Sequence, residues 1–222
     1  FDFVIIDTEH GPLSIETAEN LVRAAELVNI TPIIRVSDNE TDKILRALDI
    51  GAQGVQVPQI SCKEDAEKVI RAAKFAPLGE RGVCRFVRAA SYSAMDRYKY
   101  FSISNDETLV VIHIEGIEGI RHIDEILKTP GIDVVFLGPY DLSQSVGVTG
   151  NIAHPKVEEK MKEVILKANS KGVIVGTFVD NIEDSRKWLK LGVKYISYSV
   201  DVGIIYEASR DIARKVKEDK YL

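Results

Sequence analysis

The chain has 222 residues, of which 45% are hydrophobic and 28% charged. This length provides a substantial buried core, and the hydrophobic content excludes a disordered chain. The formal net charge of −5 argues against a nucleic acid or an anionic membrane surface as a partner. Cys62 and Cys84 lack the spacing of a metal site or redox motif, so we expect a reducing, cytoplasmic compartment.

Short apolar runs rich in β-branched residues alternate with segments of helical spacing along the whole chain. Such runs suit parallel strands that are covered on both faces, joined by helical crossovers. The strands are predicted at residues 3–7, 32–36, 54–58, 109–115, 134–139, 173–178 and 195–199. The helices are predicted at residues 14–28, 42–50, 63–74, 117–128, 155–170, 182–191 and 204–217.

This alternation predicts an α/β fold, and we favour a (β/α)₈ TIM barrel as one domain over residues 1–222. Only seven strands are visible, so we expect the first strand and helix to lie upstream of residue 1. An open doubly wound sheet is the alternative, but its glycine-rich phosphate turn is missing from the sequence. Residues 75–106 are too long for a plain connection and are predicted to form a lid or a subunit contact.

Polar residues follow many of the predicted strands at the end where barrel enzymes carry their reactive groups. Glu115 and Asp141 are the most informative pair, because two carboxylates with few other ligands suit Mg²⁺ or Mn²⁺. The alternative is that Glu115 caps a helix and Asp141 begins a turn. His113 precedes Glu115 by two residues, so both side chains should lie on one face of the strand.

His10 and Arg35 are further candidates at strand ends. Asp7 and Glu9 could orient the His10 imidazole and raise its proton affinity, although a loop histidine is the alternative. Arg35 ends an apolar strand and needs an anionic partner, either a substrate carboxylate or a structural aspartate. Backbone N–H groups after Pro139, at the start of a helix, would be aimed at an anion.

Six motifs together resemble the HpcH/HpaI aldolase family over nearly the whole chain and in the family's order. They are DTEHGP (7–12), IRV (34–36), LDIGA (48–52), GERGV (79–83), IE (114–115) and GPYDLS (138–143). The resemblance implies a metal-dependent class II pyruvate aldolase that cleaves 4-hydroxy-2-oxo acids to pyruvate and an aldehyde. It also implies a homo-oligomer, a hexamer in this family.

The resemblance implies roles for individual residues. Glu115 and Asp141 would hold the divalent metal, Mg²⁺ or Mn²⁺ with Co²⁺ as a third option. Arg35 would contact the ketone oxygen, and His10, supported by Asp49, would transfer the proton of the 4-hydroxyl. Asp7 would hold the residues that contact the substrate without contacting it itself. The substrate pocket would be formed by Arg35, His113, Gly138, Pro139, Tyr140, Asp141 and Phe178, with the backbone N–H groups of Tyr140 and Asp141 receiving the pyruvate carboxylate.

Three departures from the family pattern put the substrate in question. His113 stands where a glutamine is usual, and it could ligate the metal, donate the same hydrogen bond or mark altered chemistry. Tyr140 stands where a small residue is common, and residues 84–86 are bulkier than the small, glycine-containing stretch expected there. Alternative activities are oxaloacetate decarboxylation, an acyl-CoA lyase reaction with the same enolate, or 2-oxo-acid binding without turnover. No lysine lies at the selected strand ends, which argues against a Schiff-base aldolase.

Overall fold

The structure, a computed structural model, describes residues 1–218, in which strands and helices alternate. The strands are β1 (Phe3–Asp7), β2 (Thr31–Arg35), β3 (Gly54–Val57), β4 (Leu109–Ile114), β5 (Val134–Leu137), β6 (Ile174–Val179) and β7 (Tyr195–Tyr198). The helices are α1 (Ile15–Leu27), α2 (Thr41–Asp49), α3 (Lys63–Ala73), α4 (Arg97–Glu107), α5 (Ile117–Arg121), α6 (Ile123–Ile126), α7 (Pro139–Ser145), α8 (Pro155–Ser170), α9 (Ile182–Lys190) and α10 (Asp201–Glu218). Every predicted strand is present, with ends displaced by no more than two residues.

The sheet is parallel throughout, and each strand pairs with the next one along the chain. It curls until its two edges approach each other. The ring of Phe3 on β1 stacks on that of Tyr195 on β7, with centroids 4.3 Å apart. The result is a nearly closed α/β barrel, one strand short of the (β/α)₈ arrangement, which confirms the predicted fold class.

Successive strand residues point alternately into the barrel and outward to the helices. On β2, Ile33 belongs to the interior cluster, whereas Ile34 packs in the layer beneath the helices. The interior cluster also contains Val111, Phe136 and Tyr195. Because both faces of the strands are buried, their sequences are apolar runs without polar alternation.

Residues 75–106 contain structure that the sequence analysis did not predict. Helix α4 occupies Arg97–Glu107, after a short 3-10 stretch at Arg88–Ser93. The apolar residues of α4 do not recur on one face, and Tyr100 is its one buried residue, so the helical period is missing. Its start is marked instead by Asp96, whose carboxylate accepts two N–H groups of the first turn.

The carboxyl ends of all seven strands meet at one rim of the barrel, which places the candidate site. We define the mouth loops as the segments that join each strand end to the next helix of the barrel. They are residues 8–14, 36–40, 58–62, 115–116, 138, 180–181 and 199–200. Within residues 1–218, no helix combines the length and the apolar character that crossing a bilayer requires.

Candidate active site

Arg35, the last residue of β2, is held by two carboxylates near the end of β1. Its Nε donates to Oδ1 of Asp7 at 2.9 Å, and its Nη2 donates to the other oxygen of that carboxylate. Its Nη1 lies 3.0 Å from Oε2 of Glu9. Asp7 and Arg35 are register partners of the β1–β2 pair, so the strand pairing itself places them side by side. Asp7 and Glu9 are therefore the anionic partners that the apolar context of Arg35 requires.

Burial and charge act in opposite directions on these three groups. Burial alone would raise the pKa of Asp7, but hydrogen bonds from Arg35 and from the backbone N–H of Glu9 lower that pKa below its ordinary value. In Glu9, burial raises the pKa by more than the attraction of Arg35 lowers it, and the negative charge of Glu115 raises it further. The pKa of Glu9 therefore lies above its ordinary value. Asp7 is thus the firmly ionised partner, whereas Glu9 takes up a proton more readily.

Glu115 follows β4 directly and is buried, with 7% of its surface exposed. Its Oε1 accepts the backbone N–H of Gln59 at 2.8 Å, and its Oε2 lies 3.0 Å from Nδ1 of His113. Burial would raise the pKa of Glu115, but the hydrogen bonds of His113 and Gln59 and the charge of Arg35 hold that pKa below its usual value. Glu115 is therefore an ionised carboxylate inside the protein.

His113 is 1% exposed, and its ring stacks on that of Phe136 at 4.6 Å between centroids. An ionised carboxylate only accepts hydrogen bonds, so Nδ1 of His113 carries the hydrogen shared with Glu115. Nε2 is buried without a hydrogen-bond partner among the described residues. The structure thus shows one hydrogen bond of the His113 ring, donated to Glu115.

The surroundings of Glu115 and Asp141 fit a small divalent cation. A Cβ at Gly138 would lie 2.6 Å from Oε2 of Glu115, so the glycine keeps space beside the carboxylate. Asp141 is exposed in the first turn of α7. Across residues 1–218, no three or more His, Cys, Asp or Glu side chains are grouped to hold a metal. Two carboxylates, with water and substrate completing the shell, are a typical set for Mg²⁺.

His10 lies at the mouth with an exposed imidazole. Its Nε2 is 3.9 Å from Oε2 of Glu9, and 64% of the side chain is exposed. Asp7 accepts the backbone N–H of His10 at 3.3 Å rather than a ring N–H. The imidazole is thus near one carboxylate and accessible to a substrate. Asp7 was expected to orient the ring, but its hydrogen bond holds the backbone of the loop instead.

Asp49, the implied support for His10, lies at the other end of the barrel. It ends α2, the helix that returns the chain to the start of β3. Its Oδ1 accepts from Nη2 of Arg81 at 2.7 Å, and Arg81 is 4% exposed. The structure therefore does not bring Asp49 and His10 together within one chain.

A third cluster, at the ends of β5 and β6, contains two residues from the sequence analysis and one that it missed. Tyr140 packs edge-on against the Phe178 ring, with centroids 6.0 Å apart. The Tyr140 hydroxyl donates to Oδ2 of Asp180 at 2.6 Å. Asp180 follows β6 directly, a position that matches the other strand-end acids and could have identified it. Gln59 contributes a backbone N–H to Glu115, a role that the sequence cannot indicate because any residue type carries this group.

Comparisons with known proteins match nearly the whole chain. The sequence profile of the HpcH/HpaI aldolase/citrate lyase family matches residues 1–208. A 4-hydroxy-2-oxo-heptane-1,7-dioate aldolase from Shigella flexneri is 31% identical over 216 residues, which are 97% of this chain and 80% of that protein. A 5-keto-4-deoxy-D-glucarate aldolase from Shigella boydii is 31% identical over 218 residues, 98% of this chain and 84% of that protein.

A solved structure has the same fold over nearly the whole chain. It is an HpcH/HpaI aldolase/citrate lyase family protein from Burkholderia cenocepacia, 33% identical to this chain, with a TM-score of 0.93. The match covers 98% of this chain and 86% of that one. The barrel, the acids at its strand ends and the extent of the sequence match lead to one assignment: the chain belongs to the HpcH/HpaI aldolase/citrate lyase family.

Proposed function

We propose that this chain is a class II pyruvate aldolase, a carbon–carbon lyase that reversibly cleaves a 4-hydroxy-2-oxo acid to pyruvate and an aldehyde. The observation that carries the proposal is the buried, ionised Glu115 beside Gly138, in the field of Arg35. The guanidinium of Arg35 suits a reaction that develops negative charge on oxygen. The carboxylate of Glu115 beside it suits the binding of a cation. The aldolase names of two relatives support the same reaction class.

Glu115 and Asp141 would hold the divalent cation on which the family depends. Their hard oxygen donors favour Mg²⁺ or Mn²⁺, with Co²⁺ as a third option. When bound, the cation acts as a Lewis acid on the 2-oxo group. Both oxygens of Glu115 already accept a hydrogen bond, but each carboxylate oxygen has a second lone pair for a metal.

Arg35 would stabilise the oxygen of the pyruvate enolate. Its side chain is 19% exposed and is fixed on one side by Asp7 and on the other by Glu9. Such a preorganised donor needs no reorganisation when charge develops on the substrate. His113, Gly138, Pro139 and the backbone N–H groups of Tyr140 and Asp141 would form the rest of the pyruvate site.

His10 would accept the proton of the 4-hydroxyl as the bond between C3 and C4 breaks. The electron pair of that bond passes to the pyruvate fragment as the enolate, and C4 leaves as the aldehyde carbonyl. Protonation of C3 then gives pyruvate. The exposure of the imidazole at the mouth supports this role, since the acceptor end of the substrate must enter there.

A role for Asp49 beside His10 requires a second copy of the chain. The two residues lie at opposite ends of one barrel, so the support would cross an interface between subunits. We therefore include a homo-oligomer in the proposal, a hexamer by family resemblance.

The proposed compartment is the cytoplasm, supported by the two unpaired cysteines.

The proposal is tested by proton NMR of the metal-stripped protein with pyruvate in D₂O. Loss of the pyruvate methyl signal after addition of Mg²⁺ or Mn²⁺ would report enolate formation. Glu115→Gln should abolish this loss, whereas Glu125→Gln, an exposed acid on α6, should leave it intact. A methyl signal that persists in the unaltered protein under every metal would refute the proposed function.

A further inference from the structure

The cluster of Tyr140, Phe178 and Asp180 lies beside the proposed metal ligands. Glu115 and Gly138 extend the β4–β5 register by one residue, and Gly138 and Phe178 extend the β5–β6 register in the same way. Glu115, Gly138 and Phe178 therefore form one row across three neighbouring strands. Tyr140 packs on the Phe178 end of this row and hydrogen-bonds Asp180. The cluster is thus a wall of the same mouth, on the side away from Arg35.

The hydrogen bond fixes an acidic side chain in this wall. The Tyr140 hydroxyl donates to Oδ2 of Asp180 at 2.6 Å, so the phenol is the donor and the carboxylate is the acceptor. An ionised carboxylate accepts hydrogen bonds and carries the negative charge of such a pair. A carboxylate has about four acceptor sites, of which the Tyr140 hydroxyl uses one, so Asp180 can also accept from a hydroxyl group of a substrate.

Fixed cations are scarce around this wall. The mouth loops, all of which lie within the described residues, contain no lysine or arginine. Arg35 is engaged by Asp7 and Glu9, and Lys43 of α2 is paired with Asp38 at 2.7 Å. The acids of the mouth loops are Glu9, Asp38, Glu40, Glu115 and Asp180, of which the first three are paired with Arg35, Lys43 and Lys68. Lys187, which lies near Phe178, is paired with Glu158. A second carboxylate on a substrate that reaches this wall would therefore be repelled by Asp180, and the mouth loops offer it no lysine or arginine.

We propose that Asp180, which accepts a hydrogen bond from Tyr140, determines the acceptor specificity of this chain, selecting an uncharged, hydroxylated aldehyde and disfavouring one that carries a carboxylate. This inference rests on the proposed aldolase function. The two relatives are named for a heptane-1,7-dioate and a glucarate, each of which has two carboxylates. The acceptor preference inferred for this chain therefore differs from those names. Discrimination of this kind works by repelling the wrong substrate as well as by binding the right one.

The test compares two acceptors that differ in one group. Glyceraldehyde and tartronate semialdehyde have the same three-carbon skeleton, but the first ends in a hydroxymethyl group and the second in a carboxylate. We expect kcat/KM for condensation with pyruvate to favour glyceraldehyde by about tenfold or more in the unaltered protein. Asp180→Asn should reduce this ratio by about tenfold, equivalent to about 1.4 kcal/mol. Tyr140→Phe should preserve the discrimination, because the charge of Asp180 remains.

Glu183→Gln is the matched control, since it removes one exposed acid from the first turn of α9, three residues after Asp180 in the chain. It should leave the acceptor ratio unchanged. The inference is overturned if the unaltered protein prefers tartronate semialdehyde, if Asp180→Asn does not change the ratio, or if Glu183→Gln changes it equally. Metal-dependent exchange at the pyruvate methyl needs no acceptor, so its absence would instead refute the aldolase function.

Discussion

Nδ1 of His113, on β4, lies 3.0 Å from Oε2 of Glu115, which follows the end of that strand directly, and both side chains are buried. The alternation of a strand puts both on the interior face, so the hydrogen bond follows directly from the spacing. Residues that hydrogen-bond a metal-binding carboxylate usually fix its orientation. His113 is therefore a positioning residue for Glu115.

Replacing His113 by phenylalanine should weaken metal binding. The ring stack on Phe136 would persist, but Glu115 would lose the donor that holds Oε2. We expect the dissociation constant for Mn²⁺ to rise by about tenfold or more, as is common when such a hydrogen bond is removed. His113→Gln should recover much of the affinity, since an amide N–H can replace the ring donor. Calorimetric titration with Mn²⁺ measures both variants, and equal affinity in all three proteins would contradict the role.

The absence of a side chain at residue 138 gives a second prediction. In Gly138→Ala the new Cβ would lie 2.6 Å from Oε2 and 3.0 Å from Cβ of Glu115, so the carboxylate must move. We expect the metal-dependent pyruvate exchange to fall by at least about tenfold, because misplaced catalytic groups have large kinetic effects. Gly116→Ala is the control, since the nearest atom to its Cβ is Ser145 Oγ at 3.9 Å. Equal rates in the two variants would be inconsistent with this argument.

The lowered pKa of Asp7 predicts how stability depends on pH. A carboxyl whose pKa is lower in the folded than in the unfolded protein stabilises the fold above its ordinary pKa, 3.8, and this contribution is lost as the pH falls through the folded value. We expect Asp7→Asn to lower the free energy of unfolding by about 1–2 kcal/mol at neutral pH. The difference from the unaltered protein should shrink below about pH 3.8.

Urea denaturation between pH 2.5 and 7 measures this effect, with Asp2→Asn as an exposed control that should remain close to the unaltered protein at every pH. The pH dependence that Glu9 contributes to stability has the opposite sign, because its raised pKa favours the protonated form in the folded state. Its contribution to stability is therefore present at low pH and lost as the pH rises through the folded pKa. A pH-independent effect of Asp7→Asn would show that its role is not electrostatic.

The opposite placement of His10 and Asp49 predicts complementation between subunits. His10→Ala and Asp49→Asn should each be impaired alone. If each site combines His10 of one copy with Asp49 of another, a 1:1 mixture that exchanges subunits should regain about a quarter of the unaltered activity, since a quarter of the sites have both residues intact. An activity equal to the mean of the two separate variants would exclude a shared site. Mixing His10→Ala with Arg35→Ala, residues that share one barrel mouth, is the matched control and should give no recovery.

The strands were predictable because a parallel barrel buries both strand faces, and β-branched apolar runs of four to six residues have few other uses. The location of Glu115 after β4 and of Asp141 at the start of α7 was predictable from the ends of the apolar runs, whereas their role as metal ligands stays a prediction. The exposed α4 was not predictable from its pattern, since it buries one residue, Tyr100, and has no apolar stripe. Contacts between distant loops, such as Tyr140 with Asp180 or Asp49 with Arg81, depend on tertiary geometry that local periodicity does not encode.

The stack of Phe3 on Tyr195 joins the two ends of the sheet, β1 and β7. The Tyr195 hydroxyl also donates to Gln56 on β3 at 3.2 Å, and the Tyr195 ring meets that of Phe136 on β5 edge-on at 6.0 Å between centroids. One side chain of β7 therefore contacts three other strands across the barrel interior. Tyr195→Ala should lower the free energy of unfolding by about 3–5 kcal/mol, the cost that is typical when a large buried aromatic side chain is removed.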